Sequence, residues 1–478
     1  MNPLARLDQK FVWHPFTQMR DWLRREPLVI KKAQGAVLTD AKGREYIDAN
    51  SSIWTNLHGH RHPRINRALS RQLRRVAHTS ALGFANEPAS LLAAELVRAA
   101  APISKRSRPS RLNKVFFSDD GSTAMEVALK MSYETARRSG LSRRPRFLSL
   151  QGAYHGDTVG AVSLGHIDLF HKAYNGLLFG AGEAMSPYCY RCPFNRARPA
   201  REDARLTRRC EWECVGKVEQ TMSKARTVGR PFTSFVVEPL MQGAAGMIPQ
   251  PEGWLSRVAE LCRGGGISII ADEVMTGFGR TGVRDARAAR RGRLPLFACE
   301  RESVRPDYLV VAKGLTGGYL PMAATLTTQD VFNVFLGEYE EFKTFFHGHS
   351  FTGNQLGAAA ALESLALLQE RREEDRRLRL QRSLSDQLRR LWALPEVGDI
   401  RQVGLVAGIE LVRNWKTREP FDLRERAGIR VCETMTRHGV LTRPIGNVVV
   451  LMPPYCVTDE QVVRMVDAVE RGVRALSR

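Results

Sequence analysis

A chain of 478 residues exceeds the roughly 250–300 that a single hydrophobic core supports, so at least two core-bearing units are expected. With 43% hydrophobic and 26% charged residues the composition is ordinary for a globular protein, no apolar run nears the ~18–20 residues of a membrane helix, and Met1-Asn2-Pro3-Leu4-Ala5-Arg6 lacks the apolar core of a secretion signal; a cytoplasmic location without a membrane partner is expected. The net charge of +22 comes largely from 59 arginines, but they are spread over amphipathic stretches such as Arg371 to Arg390, interleaved with Glu373, Glu374 and Asp375, and no zinc-finger spacing, RNP-type aromatic motif or basic zipper accompanies them, so nucleic acid is not an expected partner.

In chain order, residues 1–65 show no helical period long enough for a core of their own and are expected to pack on a small C-terminal domain. From 66 to 350 a large domain is expected. Its strand candidates are Val115-Phe116-Phe117, Phe147 to Leu150, Phe235 to Val237, Ile267 to Ala271 and Tyr308 to Val311. A helix follows the first of them, with Ala124, Val127, Ala128 and Met131 on one face. Strands apolar on both faces and separated by helices predict an α/β fold with a mainly parallel sheet covered on both sides. After Phe351 the pattern turns helical (Ala358 to Gln369, Arg371 to Leu391). Strands are expected at Val403 to Leu411, Val440-Leu441 and Val448 to Leu451, with a helix at Ala427 to His438, making 351–478 a smaller α+β domain.

Four polar clusters follow predicted strands, where open α/β sheets place ligands. Gly121-Ser122 opens a helix, whose free N–H groups and dipole suit a phosphate; a helix cap is the ordinary reading of Ser122. Tyr154-His155-Gly156-Asp157 offers a flat aromatic face, or a turn with a structural tyrosine. Asp272 closes an apolar strand, where it could meet a cationic ring nitrogen or simply pair with a base. Lys313 follows Val310-Val311-Ala312, a costly place for an ammonium that is neither paired nor used covalently. Together they supply what pyridoxal 5′-phosphate (PLP) requires: a phosphate cup, a flat face, an anion for a pyridinium and an amine for a covalent link.

The run Asp272-Glu273-Val274-Met275-Thr276-Gly277-Phe278-Gly279-Arg280-Thr281-Gly282, followed by Lys313-Gly314-Leu315-Thr316-Gly317-Gly318, resembles the class III aminotransferases. Trp13-His14-Pro15-Phe16-Thr17, Ser51-Ser52-Ile53-Trp54, His58-Gly59-His60, Tyr154 to Thr158, His347-Gly348-His349-Ser350-Phe351 and Leu451-Met452-Pro453-Pro454-Tyr455 are similar to the biotin-pathway branch of that family, which uses S-adenosylmethionine as amino donor. The resemblance spans Phe11 to the C-terminus. It implies the aspartate-aminotransferase-like fold (fold type I), a PLP cofactor and a homodimer with two shared sites. By the same resemblance Lys313 is the covalent lysine, Asp272 the partner of the ring nitrogen, and Tyr154 the catalytic tyrosine over the ring. Gly121 and Ser122 form the phosphate cup, and Gly348, His349 and Ser350 reach the neighbouring subunit's cofactor. Trp54, Tyr154, Lys313, Gly348 and Arg443 contact substrate, Arg443 by holding the substrate's carboxylate.

The family's usual residues are departed from at Phe16, Ile53 and Val450, positions the resemblance assigns to the substrate pocket. A lysine-dependent version, or another class III ω-amino-acid aminotransferase, therefore remains an alternative. Cys189, Cys192, Cys210 and Cys214 follow the spacing C-x2-C-x17-C-x3-C, which suits structural zinc as readily as an insertion (187–215) whose thiols happen to cluster. The matched motifs do not require a metal, and none is counted among the expected site residues.

Overall fold

Short runs of β-branched and aromatic residues, too apolar to face water, build the middle of the central layer. The structure is a computed structural model and describes residues 1–101, 112–283 and 293–476. Its largest sheet has seven strands in the order Leu112–Ser118, Ala323–Thr328, Tyr308–Val311, Ser268–Asp272, Ser234–Val237, Phe147–Leu150 and Gly182–Ala184. The last five are mutually parallel, whereas Ala323–Thr328 runs antiparallel to both of its neighbours. Every residue of Phe147–Leu150, Ser234–Val237 and Tyr308–Val311 is buried, as expected of a sheet covered on both faces. Helix Gly121–Arg138 covers one face with Ala124, Val127, Ala128 and Met131, the residues singled out by period.

The sequence expectations miss Ala323–Thr328, which lacks the continuous run of large apolar residues that marks its neighbours, although all six of its residues are buried. They also run Val403 to Leu411 together as one strand. The structure has a hairpin instead, Val397–Val403 and Val406–Asn414, turning at Gly404. Gly404 has φ 61°, and a Cβ there would collide with the backbone of Thr281 and Gly282, so glycine is required by both conformation and space. These strands continue through Val448–Leu451 into a second sheet.

A third sheet joins the two ends of the chain. Ile30–Gln34, Val37–Asp40 and Glu45–Asp48 form an antiparallel meander, and Glu45–Asp48 pairs in parallel with Val440–Leu441. Among the described residues no helix is long and apolar enough to cross a membrane.

Candidate active site

Five strands of the large sheet deliver their following residues to one cavity of about 450 Å³, within the usual range for small-molecule sites. Leu112–Ser118 leads to Gly121 and Ser122, Phe147–Leu150 to Tyr154 and His155, and Ser234–Val237 to Glu238. Ser268–Asp272 ends on Asp272, and Tyr308–Val311 runs into Lys313. Trp54 closes one side. The four clusters singled out in the sequence thus converge.

Lys313 sits at φ 45°, an unfavourable region for a side-chain-bearing residue, directly after its strand. Its Nζ stands 4.7 Å from the centre of the Trp54 ring. Burial of the ammonium lowers the lysine's pKa, Asp272 and Glu238 oppose that shift, and Arg280 adds to it. The result is an amine closer to its neutral, nucleophilic form than a surface lysine.

Asp272 is held from two sides. Its Oδ1 accepts the Val274 N–H at 3.0 Å, and its Oδ2 pairs with His155 Nδ1 at 2.7 Å, both side chains being almost fully buried. A carboxylate fixed in this way can meet a ring nitrogen without reorganising. His155 and Glu238 were not given roles in the sequence reading. Both follow strand ends, but neither residue type is diagnostic there, so the sequence alone does not mark them. Glu238 accepts the Gly243 N–H at 2.7 Å, and burial pushes its pKa up to about 7, with His155 opposing and Asp272 reinforcing the shift.

The start of helix Gly121–Arg138 corrects the ordinary reading of Ser122 as its cap. Asp120 is the N-cap, accepting the Thr123 N–H at 3.0 Å, with Thr123 returning the bond in a capping box. Ser122 therefore lies in the first turn, where N–H groups have no helical acceptor, and its Oγ accepts the Asp157 N–H at 3.1 Å. A Cβ on Gly121 would stand 2.8 Å from Val274 Cγ1, and one on Gly156 (φ 123°) would collide with Ser122. Two glycines thus keep a cradle open at a helix N-terminus, the arrangement that binds a phosphate. Tyr154 donates its hydroxyl proton to Asp157 Oδ2 at 2.6 Å, and burial followed by that bond raises its pKa well above the ordinary tyrosine value. Cradle, fixed carboxylate, aromatic wall and activated amine fit the phosphate, ring nitrogen, ring face and aldehyde of PLP.

Trp54 is presented by an unusual turn. Ser51, Ser52, Ile53 and Trp54 have φ of 48°, 49°, 65° and 68°, one turn of left-handed helix. Such a turn costs about 1–2 kcal/mol per residue and persists only when over-determined. Asp48 supplies much of that: it accepts the Ser52 N–H at 3.0 Å, the Ser52 hydroxyl at 2.9 Å, and pairs with His60 Nε2 at 3.1 Å. Trp54 Nε1 donates to Asn50 Oδ1 at 2.8 Å.

The remaining expected residues lie off the cavity wall. Arg443 is exposed, its Nη2 donating to the Phe16 carbonyl at 3.3 Å. Gly348 and Ser350 are exposed; the His349 N–H donates to Thr352 Oγ1 and the Ser350 carbonyl pairs with His78 Nε2. Val450 is fully buried in its strand, not a wall residue. The thiols of Cys189, Cys192, Cys210 and Cys214 surround a separate closed cavity of about 10 Å³, with Arg208 Nη1 donating to Cys210 Sγ at 3.2 Å. Among the described residues no group of three His, Cys, Asp or Glu side chains is placed to hold a metal.

Comparison with known proteins agrees with this chemistry. The family model "Aminotransferase class-III" matches residues 19–473. The adenosylmethionine-8-amino-7-oxononanoate aminotransferase of Geobacter sulfurreducens is 46% identical over 98% of this chain and 97% of its own. A crystal structure of the enzyme of that name from Methanocaldococcus jannaschii superposes with a TM-score of 0.87 at 37% identity, covering 99% of this chain and 98% of that one. An amine transaminase from an uncultivated Pseudomonas species, in its PLP-bound form, superposes with a TM-score of 0.85 at 30% identity over 97% and 98% of the two chains. The chain belongs to the class III aminotransferases.

Proposed function

We propose that this chain is the PLP-dependent aminotransferase of biotin biosynthesis that converts 7-keto-8-aminopelargonate to 7,8-diaminopelargonate, with S-adenosylmethionine as amino donor. The observation that carries the reading is the convergence of Lys313, Asp272, Tyr154 and the Gly121–Ser122 cradle on one cavity, in a chain so similar to enzymes of that name. When bound, PLP accepts the electrons of a substrate Cα–H bond and so makes that proton removable. The Gly121 and Ser122 N–H groups hold its phosphate, and Asp272 keeps its ring nitrogen protonated. Tyr154 would pack over its face. Lys313 Nζ would anchor the cofactor and would carry the substrate proton. Trp54 and Tyr154 exclude water from that exchange.

Arg443 is assigned to the substrate carboxylate, which a planar two-pronged donor suits. Gly348, His349 and Ser350 are assigned to the cofactor of a second subunit. Supporting this, they lie away from their own cavity beside an apolar surface that includes Phe346 and Phe351, with Phe351 against His78 at 4.6 Å between ring centres. A homodimer covers that surface. Lysine is the competing donor, favoured by Phe16 and Ile53, both largely exposed where bulkier or hydroxylated aromatics are usual.

The test is an assay of purified enzyme with 7-keto-8-aminopelargonate and a panel of donors. Diaminopelargonate formed with S-adenosylmethionine supports the reading. Product formed only with lysine changes the donor, and turnover only with simple ω-amines overturns the assignment.

A further inference from the structure

The cavity reaches Tyr154, while the assigned carboxylate anchor, Arg443, lies beyond it. The gap is bridged by aromatic rings. Phe170 meets Tyr154 edge-on, with ring centres 6.4 Å apart at 84°, and Phe16 packs on Phe170 at 5.3 Å and 73°. The Phe16 carbonyl in turn accepts from Arg443. Phe170 belongs to the short helix Asp168–His171, which is pinned at both ends. The Phe170 and His171 N–H groups donate to the Ile167 carbonyl at 2.9 and 3.0 Å, and the Ile167 N–H donates back to His171 Nδ1 at 3.2 Å. His171 is buried and its ring lies nearly parallel to that of Tyr154, ring centres 6.3 Å apart. Phe170 is thereby half-buried and fixed, while Leu169 before it points into solvent, 78% exposed.

We propose that Phe170 is a specificity-determining residue: it forms the apolar wall along which the aliphatic chain of a carboxylate-tailed amino ketone lies. The inference rests on the proposed function, which places the carboxylate at Arg443 and the reacting carbon at Lys313. A substrate held at both polar ends exposes its methylenes to water unless something apolar lies between. Phe170 is the fixed apolar ring on that line, since Phe16 beside it is 60% exposed. Phe170 touches no reacting atom, so it acts on recognition, through KM, and on chain length.

The experiment measures kcat and KM for a series of ω-carboxylated α-amino ketones differing by single methylenes, with wild type, Phe170→Ala and Phe170→Leu. Burial of one methylene is worth roughly fourfold in affinity, so the wild-type kcat/KM should rise about fourfold per methylene up to the preferred length. Phe170→Ala should flatten that slope and raise KM for the longest acid roughly tenfold, with kcat nearly kept and the bound-cofactor spectrum unaltered. Phe170→Leu, an apolar wall of smaller area, should restore most of the slope and guards against a folding defect in the alanine variant. An unchanged slope in Phe170→Ala overturns the inference, as does a uniform loss at every chain length. A wild type inactive toward the whole series overturns the proposed function first, and this inference with it.

Discussion

The floor and the mouth of the cavity are built on different principles. Floor residues (Asp272, His155, Glu238, Lys313) end or follow parallel strands of the large sheet, so sheet geometry sets their positions, and burial shifts Glu238 and Lys313 toward their neutral forms. Mouth residues (Phe16, Ile53, Phe170, Arg443) sit on short helices, loops and the N-terminal segment, and three of the four are exposed. A rigid floor can run one chemistry throughout a family, while the mouth can change its substrate without disturbing that chemistry. Substitutions in the two regions should therefore fail differently.

The largest effect is expected at the floor. Lys313→Ala should lose at least about 10³-fold in turnover, because it removes both the covalent anchor and the proton carrier; steady-state assay of the variant checks this. Asp272→Asn should retain cofactor absorbance but lose about 10²–10³-fold, since an amide cannot hold a ring-nitrogen proton. A near-normal rate in this variant removes Asp272 from the mechanism.

At the mouth, Arg443→Ala should cost on the order of 2–4 kcal/mol in transition-state binding, confined to the half-reaction with the keto acid. Rapid-mixing of each half-reaction separates the two; equal loss in both places Arg443 outside substrate recognition.

Glu238 gives the floor a pH signature. Its carboxyl is raised from 4.5 to about 7, so it stays protonated in the folded protein over a range where the unfolded chain has already ionised. The penalty is absent below pH 4.5, grows between 4.5 and about 7, and is constant above; it amounts to about 3 kcal/mol. Glu238→Gln should remove it, so the urea midpoint of the variant, compared with wild type at pH 4.5 and pH 8, should gain most at pH 8. Parallel curves for the two proteins are the contrary result.

The smallest effect is expected at Ile53, a β-branched residue at φ 65°, strained even within its left-handed turn. Ile53→Trp should relieve that strain and add an aromatic face near the cavity, tightening a cationic donor by roughly 0.5–2 kcal/mol. Donor KM values report it, and unaltered KM for both S-adenosylmethionine and lysine takes Ile53 out of donor recognition.

The same division explains what could be read from the sequence. Phe147–Leu150 and Tyr308–Val311 were legible to the residue because uniformly apolar runs leave few alternatives, and the clusters after them fell into place at once. His155 and Glu238 carry no signal of their own; only the strand order, which puts Glu238 after the strand beside that of Asp272 and His155 after the next one, reveals their part. Ser122 reads as a cap until Asp120, two residues earlier, is seen to take that bond. The hairpin at Gly404 was invisible because apolar residues flank the turn on both sides, and the left-handed turn at Trp54 because its cause, Asp48, acts through hydrogen bonds rather than composition. At the mouth, Phe170 carries no sequence signal, since one phenylalanine in a single helical turn has no meaning until its neighbours are placed.

The central claim is that Lys313 is the residue bonded to the cofactor. Borohydride reduction of the purified enzyme, followed by proteolysis and mass mapping, tests it directly. The account predicts a phosphopyridoxyl group fixed on Lys313 in the wild type and no fixation in Lys313→Ala; fixation on another lysine, or an undiminished label in the variant, would contradict it.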